Sequence, residues 1–430
     1  MRLFFASAAF RSCFAACFLF LLSTGASHAA DALSLTDAQR IAADRSRQLA
    51  AQDRAVFASR EMAVAAAQLP DPTLKAGVEN LPVNGADAFS LTKDFMTMRR
   101  IGVMQEFTRS EKRLLRAEKF EREAERTTTE KAATLATVQR DTALAWLDRY
   151  FAEAMAAVVI EQTKAARLEI EAAETAYRAG RGNQAEIFAA RTAVVSLEDR
   201  ASETDRRVRT AKNSLARWVG EVADKPLGTK PGIDALSHLN AHDLDNQLVN
   251  HPEIASLAKQ VEIARTEARL AQANKQPDVT AELMYAQRGP AYSNMVSFGI
   301  AIPLQWDQKN RQNREVAAKL AMAEQAEAQR EEMLRAHVAE VRNMVNEWEN
   351  LKERRARYSR ELLPLSAQRT EAVTTAYRGA RSTLGEVFAA RRNEIDVRLQ
   401  ALQLEAEQAR IWAQLNFLIP HSTVALENAR

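Results

Sequence analysis

Two segments of this chain lie 200 positions apart and have nearly the same sequence. Residues 175–191 read TAYRAGRGNQAEIFAAR and residues 375–391 read TAYRGARSTLGEVFAAR, with 10 of 17 positions identical. A recurring segment of this kind indicates that the chain arose by duplication and folds as two similar units. A strand-like segment repeats as well, because Pro-Asp-Pro-Thr at position 70 is echoed by Pro-Asp-Val-Thr at 277. Each half therefore reads as a helix, a pair of strands and a long helical hairpin.

The first half contains a long stretch with no helix-breaking residue. Residues 103–179 include neither Gly nor Pro and are rich in Ala, Glu, Lys, Arg, Leu and Gln, the best helix formers. A helix over 110–177 would be about 100 Å long at about 1.5 Å per residue. Gly180 and Gly182 predict a tight turn after it. A second helix is then predicted over 184–218.

The second half repeats this hairpin. A helix is predicted from about Gln312, with a turn at Gly379 and a returning helix over 384–418. Pro364 predicts a kink or a restart in the first arm, because proline cannot donate the backbone hydrogen bond of a helix interior. A linker containing Gly and Pro separates the halves. The predicted order is a signal segment, a first repeat, the linker, a second repeat and a tail: 1–29, 30–219, 220–250, 251–420 and 421–430.

The N-terminus reads as a secretory signal. An apolar stretch from Cys13 to Leu22 precedes small residues ending at Ala29 or Ala30, the pattern of a cleavage site. Lipoprotein processing before Cys17 is the alternative, but the apolar run continues beyond that position. Because both cysteines of the chain lie in this segment, we expect the mature protein to have no disulfide and no thiol for catalysis or metal binding.

The charge balance and hydropathy of the mature chain argue against nucleic acid as a partner and against a membrane-spanning helix. Removing Arg2 and Arg11 from the 59 basic residues leaves 57, against 56 acidic residues, a balance that gives no reason to expect nucleic acid as a partner. No apolar run after the signal approaches the roughly 18 to 20 residues that a membrane-spanning helix needs.

Four short segments show the alternation expected of strands. They are predicted over 73–81, 95–107, 278–288 and 294–304, with one face apolar and the other polar or small. This pattern is typical of the wall of a transmembrane barrel. An antiparallel sheet on a soluble core would give the same alternation.

Geometry favours the membrane interpretation. Four strands cannot close a barrel, since closed barrels begin at about eight strands, and an open sheet edge is not tolerated in lipid. A protomer with four strands must therefore share them with other copies. A cyclic trimer supplies twelve strands, and the same symmetry gathers twelve helical segments into a hollow cylinder.

Several short motifs along the mature chain match those of a known protein family. The sequence resembles the TolC-type outer-membrane efflux proteins over essentially the whole mature chain, and within them the heavy-metal branch that serves cobalt-zinc-cadmium or copper-silver pumps of the RND type. The second turn departs from the family pattern, with Gly379 one place early and Ala380 where glycine is usual. The motifs that carry the resemblance are Tyr177-x-x-Gly180, Tyr377-x-Gly379, His251-Pro252-Glu253, Gln276-Pro277-Asp278, Gln105-Glu106-Phe107, Ile302-Pro303-Leu304, Trp306-Asp307 and Asn310-Arg311.

The resemblance implies a mainly α fold with a small β part. Long helical hairpins would form a trimeric periplasmic α-barrel, and four strands per protomer would contribute to a 12-stranded β-barrel in the outer membrane of a Gram-negative cell. It implies the exit duct of a tripartite efflux system, with outer-membrane lipid, a periplasmic adaptor and an inner-membrane pump as partners. Multidrug or organic-compound efflux and type I secretion are alternative roles of the same fold. A periplasmic coiled-coil adaptor is the alternative from another class.

The resemblance also implies a set of functional residues at the hairpin turns. Glu386 from three protomers would narrow the periplasmic entrance as a carboxylate ring, while Glu186 would contact Tyr377 or Arg381 of a neighbouring hairpin and hold the entrance shut. The alternative is a solvated helix face with local Glu-Arg pairs. The complete set at the tip is Tyr177, Gly180, Gly182, Glu186, Tyr377, Gly379, Arg381 and Glu386.

The sequence gives little reason to expect an enzyme or a metal-binding protein. It shows no pairing of a nucleophile with a base, so we expect neither an enzyme nor a cofactor. His238 and His242 are spaced as i and i+4 with His251 nearby, but a solvated linker is favoured over a metal site there. The methionines at 96, 98 and 104 could contact a soft metal. Packing against lipid or a helix, in or beside a strand, is favoured for them.

Overall fold

The computed structural model describes residues 32–180, 183–236, 239, 243–379 and 381–420. The predicted signal and tail lie outside these residues, as do Gly182, His238 and His242. In each half, helices precede a pair of strands and a long hairpin follows, so the predicted order of elements is present twice.

The first half contains the longest helix. Its elements are α1 (Leu35–Arg45), α2 (Arg47–Ala66), β1 (Thr73–Glu79), β2 (Met98–Phe107), α3 (Ser110–Arg178) and α4 (Gln184–Val219). The stretch without Gly or Pro forms the 69 residues of α3 as one continuous helix. At about 1.5 Å per residue this rod is about 100 Å long. The hairpin turn therefore lies far from the strands.

The second half differs in its first arm. Its elements are α5 (Leu244–Val249), α6 (Pro252–Ala273), β3 (Val279–Gln287), β4 (Met295–Ala301), α7 (Gln312–Arg357), α8 (Leu363–Arg378) and α9 (Leu384–Asn416). A π-helical turn over Tyr358–Leu362 joins α7 to α8. Pro364 follows directly and has no N–H to donate to the preceding turn. The predicted kink or restart at Pro364 thus takes the form of a local change of helix type.

The four strands form one antiparallel sheet in the order β1-β2-β3-β4. Leu74 pairs with Val103, Val103 pairs with Leu283, and Leu283 pairs with Phe298, so one row of side chains crosses all four strands. The strands β1 and β4 are the two edges of the sheet within the chain.

The main core lies midway along the long helices, where the N-terminal segment and the linker wrap around them. Three buried tryptophans fix these segments through indole N–H groups. Trp146 donates to the carbonyl of Leu33 at 2.9 Å, and Trp348 donates to the carbonyl of Ile233 at 3.1 Å. Trp412 donates to the Ala235 carbonyl at 3.0 Å. These bonds tie the N-terminal segment and the linker to the long helices.

A smaller apolar cluster lies next to the hairpin turns. It joins residues of α3, α4 and α9, so the two hairpins pack against each other there: Ala166, Ala173, Ile187, Ala190, Val194, Leu384 and Phe388. Among the described residues, every helix falls short of the combined length and apolarity needed to cross a membrane.

Candidate functional site

One face of the sheet is apolar and exposed along its whole width. The row that starts at Leu74 and ends at Phe298 has all four of its side chains exposed, with 68% of Leu74 and 69% of Phe298 accessible. The neighbouring row runs through Ile101 and Tyr285 to Val296 and is exposed as well. Because alternate residues of a strand share a face, the register aligns the apolar positions of all four strands. Contiguous apolar surface of this kind indicates contact with lipid or another apolar surface.

The opposite face carries charged pairs. Lys75 Nζ lies 2.9 Å from Glu282 Oε2, and Arg100 pairs with Glu79. Gly102 lies between Lys75 and Met284 in the sheet, and a side chain there would come within 2.6 Å of the Leu283 carbonyl oxygen. The glycine therefore permits close packing across this face, and the sheet separates an apolar surface from a charged one.

The methionines of β2 lie on the charged face. Met98 and Met104 alternate with Ile101 and Val103 of the apolar face, and Met104 pairs with Glu282. Met96 precedes β2, where its N–H donates to Asp94 Oδ1 at 2.8 Å. The two strand methionines therefore pack among polar neighbours, away from the apolar surface.

The Gln276-Pro277-Asp278 motif ties the sheet to the first hairpin. Asp278 Oδ2 accepts from Lys112 Nζ at 2.8 Å, and Asp278 Oδ1 accepts from the Arg109 backbone N–H at 3.0 Å. Lys112 is buried. This ion pair therefore fixes the start of α3 against the start of β3.

The first hairpin turn depends on a glycine. After α3 ends, Gly180 has φ +73°, in the left-handed region that side-chain-bearing residues avoid. Asn183 then begins α4, because its side chain accepts the Glu186 backbone N–H at 2.9 Å. Tyr177, one turn earlier, is about half exposed.

The second hairpin turn uses side chains. Gly379 has φ −84°, so it does not occupy the left-handed position. Thr383 and Glu386 form a reciprocal cap of α9, with Glu386 N–H donating to Thr383 Oγ1 at 3.3 Å and Thr383 N–H donating to Glu386 Oε2 at 3.1 Å. Ser382 donates its hydroxyl to the same carboxylate. The Ser382 hydroxyl, and then the Thr383 N–H, hold the pKa of Glu386 below its ordinary value.

Glu186 and Tyr377 lie near each other within a single chain. Burial, and then the nearby carboxylates of Glu186 and Glu169, raise the pKa of the Tyr377 phenol. Glu169 forms an ion pair with Arg391 that joins α3 to α9. Burial raises the pKa of Glu169 although this arginine opposes the shift. The first hairpin therefore contacts the second where Glu186 and Glu169 lie near Tyr377 and Arg391.

Arg381 and Glu386 belong to the exposed side of the second turn. Glu386 is engaged with Ser382 and Thr383, whereas Arg381 donates its backbone N–H to the Ala376 carbonyl at 2.8 Å. Gly182 lies outside the described residues. The structure thus brings Glu186 and Tyr377 together and assigns Glu386 a helix-capping contact that the repeat alignment did not predict.

Sequence reasoning missed several contacts between distant residues. The ion pairs Glu169–Arg391 and Lys75–Glu282 join different elements, and His251 packs against His337. Their spacing in sequence carries no periodic signal. Within the residues that the structure describes, no group of three or more His, Cys, Asp or Glu side chains is arranged to hold a metal ion.

Comparisons with known proteins agree with this architecture. Residues 244–420 match the family described as outer membrane efflux protein. The chain is 24% identical to the cobalt-zinc-cadmium resistance protein CzcC of Cupriavidus metallidurans over 287 residues, which cover 65% of this chain and 68% of that protein.

The fold is similar to those of solved channel structures. The CusC structure aligns with a TM-score of 0.76 and 16% identity, covering 90% of this chain and 92% of that one. The outer membrane protein VceC of Vibrio cholerae aligns with a TM-score of 0.72 and 18% identity, covering 89% of this chain and 95% of that one. The duplicated hairpins and the four-stranded sheet are thus the fold of these solved proteins, and the second half of the chain carries the match to the outer membrane efflux protein family.

Proposed function

We propose that this chain is the exit duct of a tripartite efflux system and that its cargo is a heavy-metal cation. The duct is supported chiefly by the sheet register, which puts an unbroken row of exposed apolar side chains on one face and charged pairs on the other. The cargo is supported by the similarity to CzcC, whose name refers to cobalt, zinc and cadmium.

The duct is a trimer in this proposal. The sheet has free edges at β1 and β4 within the chain, and lipid does not tolerate an open edge. Three copies supply twelve strands, enough for a closed barrel. The apolar face then meets lipid, and the charged face with Lys75 and Glu282 lines the aqueous lumen.

Neighbouring residues of β4 offer a matched test of this orientation. Phe298, at the centre of β4, lies on the apolar face and is 69% exposed, whereas Ser297 lies on the opposite face. Phe298→Arg should destabilise the membrane-inserted trimer by about 2 to 4 kcal/mol, the cost near the bilayer midplane, and Ser297→Arg should leave trimer yield unchanged while altering ion selectivity. Equal loss of heat-modifiable trimer in both variants would contradict the assignment of the faces.

The hairpin turns form the periplasmic tip in this proposal and meet the adaptor there. They lie about 100 Å of helix away from the sheet, at the only end of the hairpins that the described strands do not occupy. Glu386 contributes to a ring of carboxylates around the entrance. Glu186 holds the closed state through contacts with Tyr377 or Arg381 of a neighbouring hairpin.

Single-channel recording tests the entrance. Glu386→Gln should reduce cation preference, because a ring of like charges in a narrow pore attracts cations. Glu186→Gln and Arg381→Ala should each raise the conductance of the resting channel. If all three variants conduct and select ions like the parent, both the carboxylate ring and the closing contacts of Glu186 and Arg381 are wrong. The proposal that the protein is a duct would still stand.

Metal tolerance tests the cargo. The chain should be produced with its pump and adaptor in a strain that lacks its own duct, and growth should be scored in Co²⁺, Zn²⁺, Cd²⁺, Cu⁺, Ag⁺ and organic dyes. We expect tolerance to rise for metals only. A rise for dyes alone would favour the multidrug alternative. A chain recovered as a soluble periplasmic monomer would favour the adaptor alternative.

A further inference from the structure

A cavity of about 370 Å³ lies where α3, α6, α7 and the end of α9 meet. His251, at the start of α6, and His337, on α7, both line it although they are 86 residues apart in sequence. Their rings are in contact, with centroids 4.4 Å apart and planes inclined by 46°. The duct function does not use this pair.

One ring nitrogen of His251 is buried without a hydrogen-bond partner. Its side chain is buried, with 5% of the residue exposed, and Nδ1 has no hydrogen-bond partner. Nδ1 is therefore a buried ring nitrogen at the wall of the cavity, available as a ligand.

His337 is held in a complementary way. Its Nδ1 lies 3.8 Å from Glu340 Oε2, one helical turn further along α7, and its Nε2 is buried without a partner. A carboxylate next to one imidazole nitrogen favours the tautomer with the proton on that nitrogen, which leaves the lone pair on the other. Histidines that bind metals commonly show this arrangement, in which the second nitrogen faces a carboxylate or a carbonyl.

We propose that His251 Nδ1 and His337 Nε2 together bind one divalent transition-metal cation of the Zn²⁺ or Co²⁺ type. Imidazole nitrogens suit such ions. Both rings line one cavity and each has one buried nitrogen without a partner, so both nitrogens are available to a shared ion, for which the usual distance is about 2.0 to 2.1 Å.

The two histidines fill only part of the coordination sphere. Since no preformed group of three ligands exists among the described residues, the remaining positions face the cavity and are open to water or to Glu253, which also lines it. An open sphere predicts exchangeable binding. The site lies inside one protomer between its helices, so it does not depend on what the duct exports.

Zn²⁺ and Co²⁺ titration of the chelator-treated, detergent-purified protein tests the site. We expect one ion per chain, and His251→Gln and His337→Gln should each weaken binding at least tenfold. Glu340→Gln should weaken it by about 10- to 100-fold, as for residues that orient metal-binding histidines. The double variant His238→Gln/His242→Gln is the matched control, because it removes two other histidines, and it should bind like the parent.

Two outcomes would overturn the proposal. One is a parent protein that binds no more Co²⁺ than His251→Gln/His337→Gln, and the other is loss of binding in the linker control alone. Thermal unfolding of the parent gives an answer that needs no variant. Zn²⁺ in excess should raise Tm relative to the chelated protein, and an unchanged Tm would show that no ion is held by the folded state.

Discussion

The two hairpin turns derive from the same repeated sequence but are stabilised differently. The first has Ala179-Gly180 and the second has Gly379-Ala380, so one glycine has shifted by a single position. Gly180 occupies the left-handed conformation, whereas Gly379, with φ −84°, does not. Both turns cap the following helix with a side chain, Asn183 in the first and Thr383 in the second, but only the second adds the reciprocal bond from Glu386. A duplicated motif can thus keep its cap while it gains or loses a second stabilising group.

The aromatic residues that follow the turns differ in the same way. Phe188 and Phe388 are equivalent in the repeat, but Phe188 is 55% exposed and Phe388 is 8% exposed. Phe388 packs into the cluster between the hairpins, next to Ile187 and Leu384. The second hairpin therefore packs against the first, while the first presents its phenylalanine outward. Equivalent residues have acquired separate roles because their neighbours differ.

The phenylalanine pair should give the largest contrast in stability. Phe388→Ala removes a buried ring and should cost about 3 kcal/mol in free energy of unfolding, whereas Phe188→Ala should cost less than about 1 kcal/mol. Chemical denaturation of the detergent-solubilised protein measures both. Phe388→Leu is a control that keeps an apolar side chain and should lose less than Phe388→Ala. Equal losses from the two alanine variants would remove the proposed difference between the hairpins.

Glycine substitutions should produce the next largest contrast. A side chain at Gly180 would meet nothing within 4 Å, so Gly180→Val is penalised only by its positive φ, by about 1 to 2 kcal/mol. Gly379→Ala should be neutral or stabilising by about 0.5 kcal/mol, because its φ suits alanine and the nearest atom lies 3.5 Å away. Thermal unfolding midpoints measure both effects. A loss at Gly379 as large as at Gly180 would show that both turns need the glycine.

The helix caps should differ by a smaller amount. Thr383→Ala should destabilise the protein by about 1 kcal/mol, since it removes the acceptor for the Glu386 N–H. Asn183→Ala removes a similar acceptor at the first turn. Thr383→Ser keeps the cap and should behave like the parent. Hydrogen exchange at residues 383–386 localises the effect, and unchanged protection in Thr383→Ala would rule out the cap as a stabilising element.

The pH dependence of the second turn should be the smallest effect. Hydrogen bonds from Ser382 and Thr383 depress the pKa of Glu386 below 4.5, so its stabilising contribution is present above that pH and is lost as the pH falls through the lower folded value. Glu386→Gln should abolish this dependence and keep part of the reciprocal cap. Unfolding curves at pH 7 and at pH about 3 compare the parent with this variant. A parallel pH response in both proteins would mean that Glu386 does not contribute.

The sequence predicted elements best where local chemistry determines them. The absence of Gly and Pro specified α3 almost to the residue, with 110–177 predicted and Ser110–Arg178 observed. The strand predicted from residue 95 begins instead at Met98, because Asp94 accepts the N–H groups of Met96 and Thr97 and holds them in a turn. Local hydrogen bonding of this kind overrides an apolar pattern.

The site was less predictable because its contacts are not local. The alignment of the repeats indicated the turns, but it could not show that Phe388 is buried or that Glu386 caps its own helix. Burial depends on which hairpin lies alongside. The pairing of His251 with His337 likewise depends on the packing of α6 against α7, and nothing in a spacing of 86 residues indicates it.

The π-helical turn in the second arm bears on how the two repeats diverged. Trp146 lies 31 residues before Tyr177, whereas Trp348, which makes the equivalent indole bond, lies 29 residues before Tyr377. A difference of two residues would rotate one arm by about 200° relative to the other, at about 100° per residue. A π-helical turn winds fewer degrees per residue, so it adds to that lost rotation and brings the total closer to a full turn of about 360°, at which the two arms are in phase again. The π-helical turn at Tyr358–Leu362 therefore lets an arm that is two residues shorter present its tryptophan and its tyrosine in nearly the same relative direction as the first arm does.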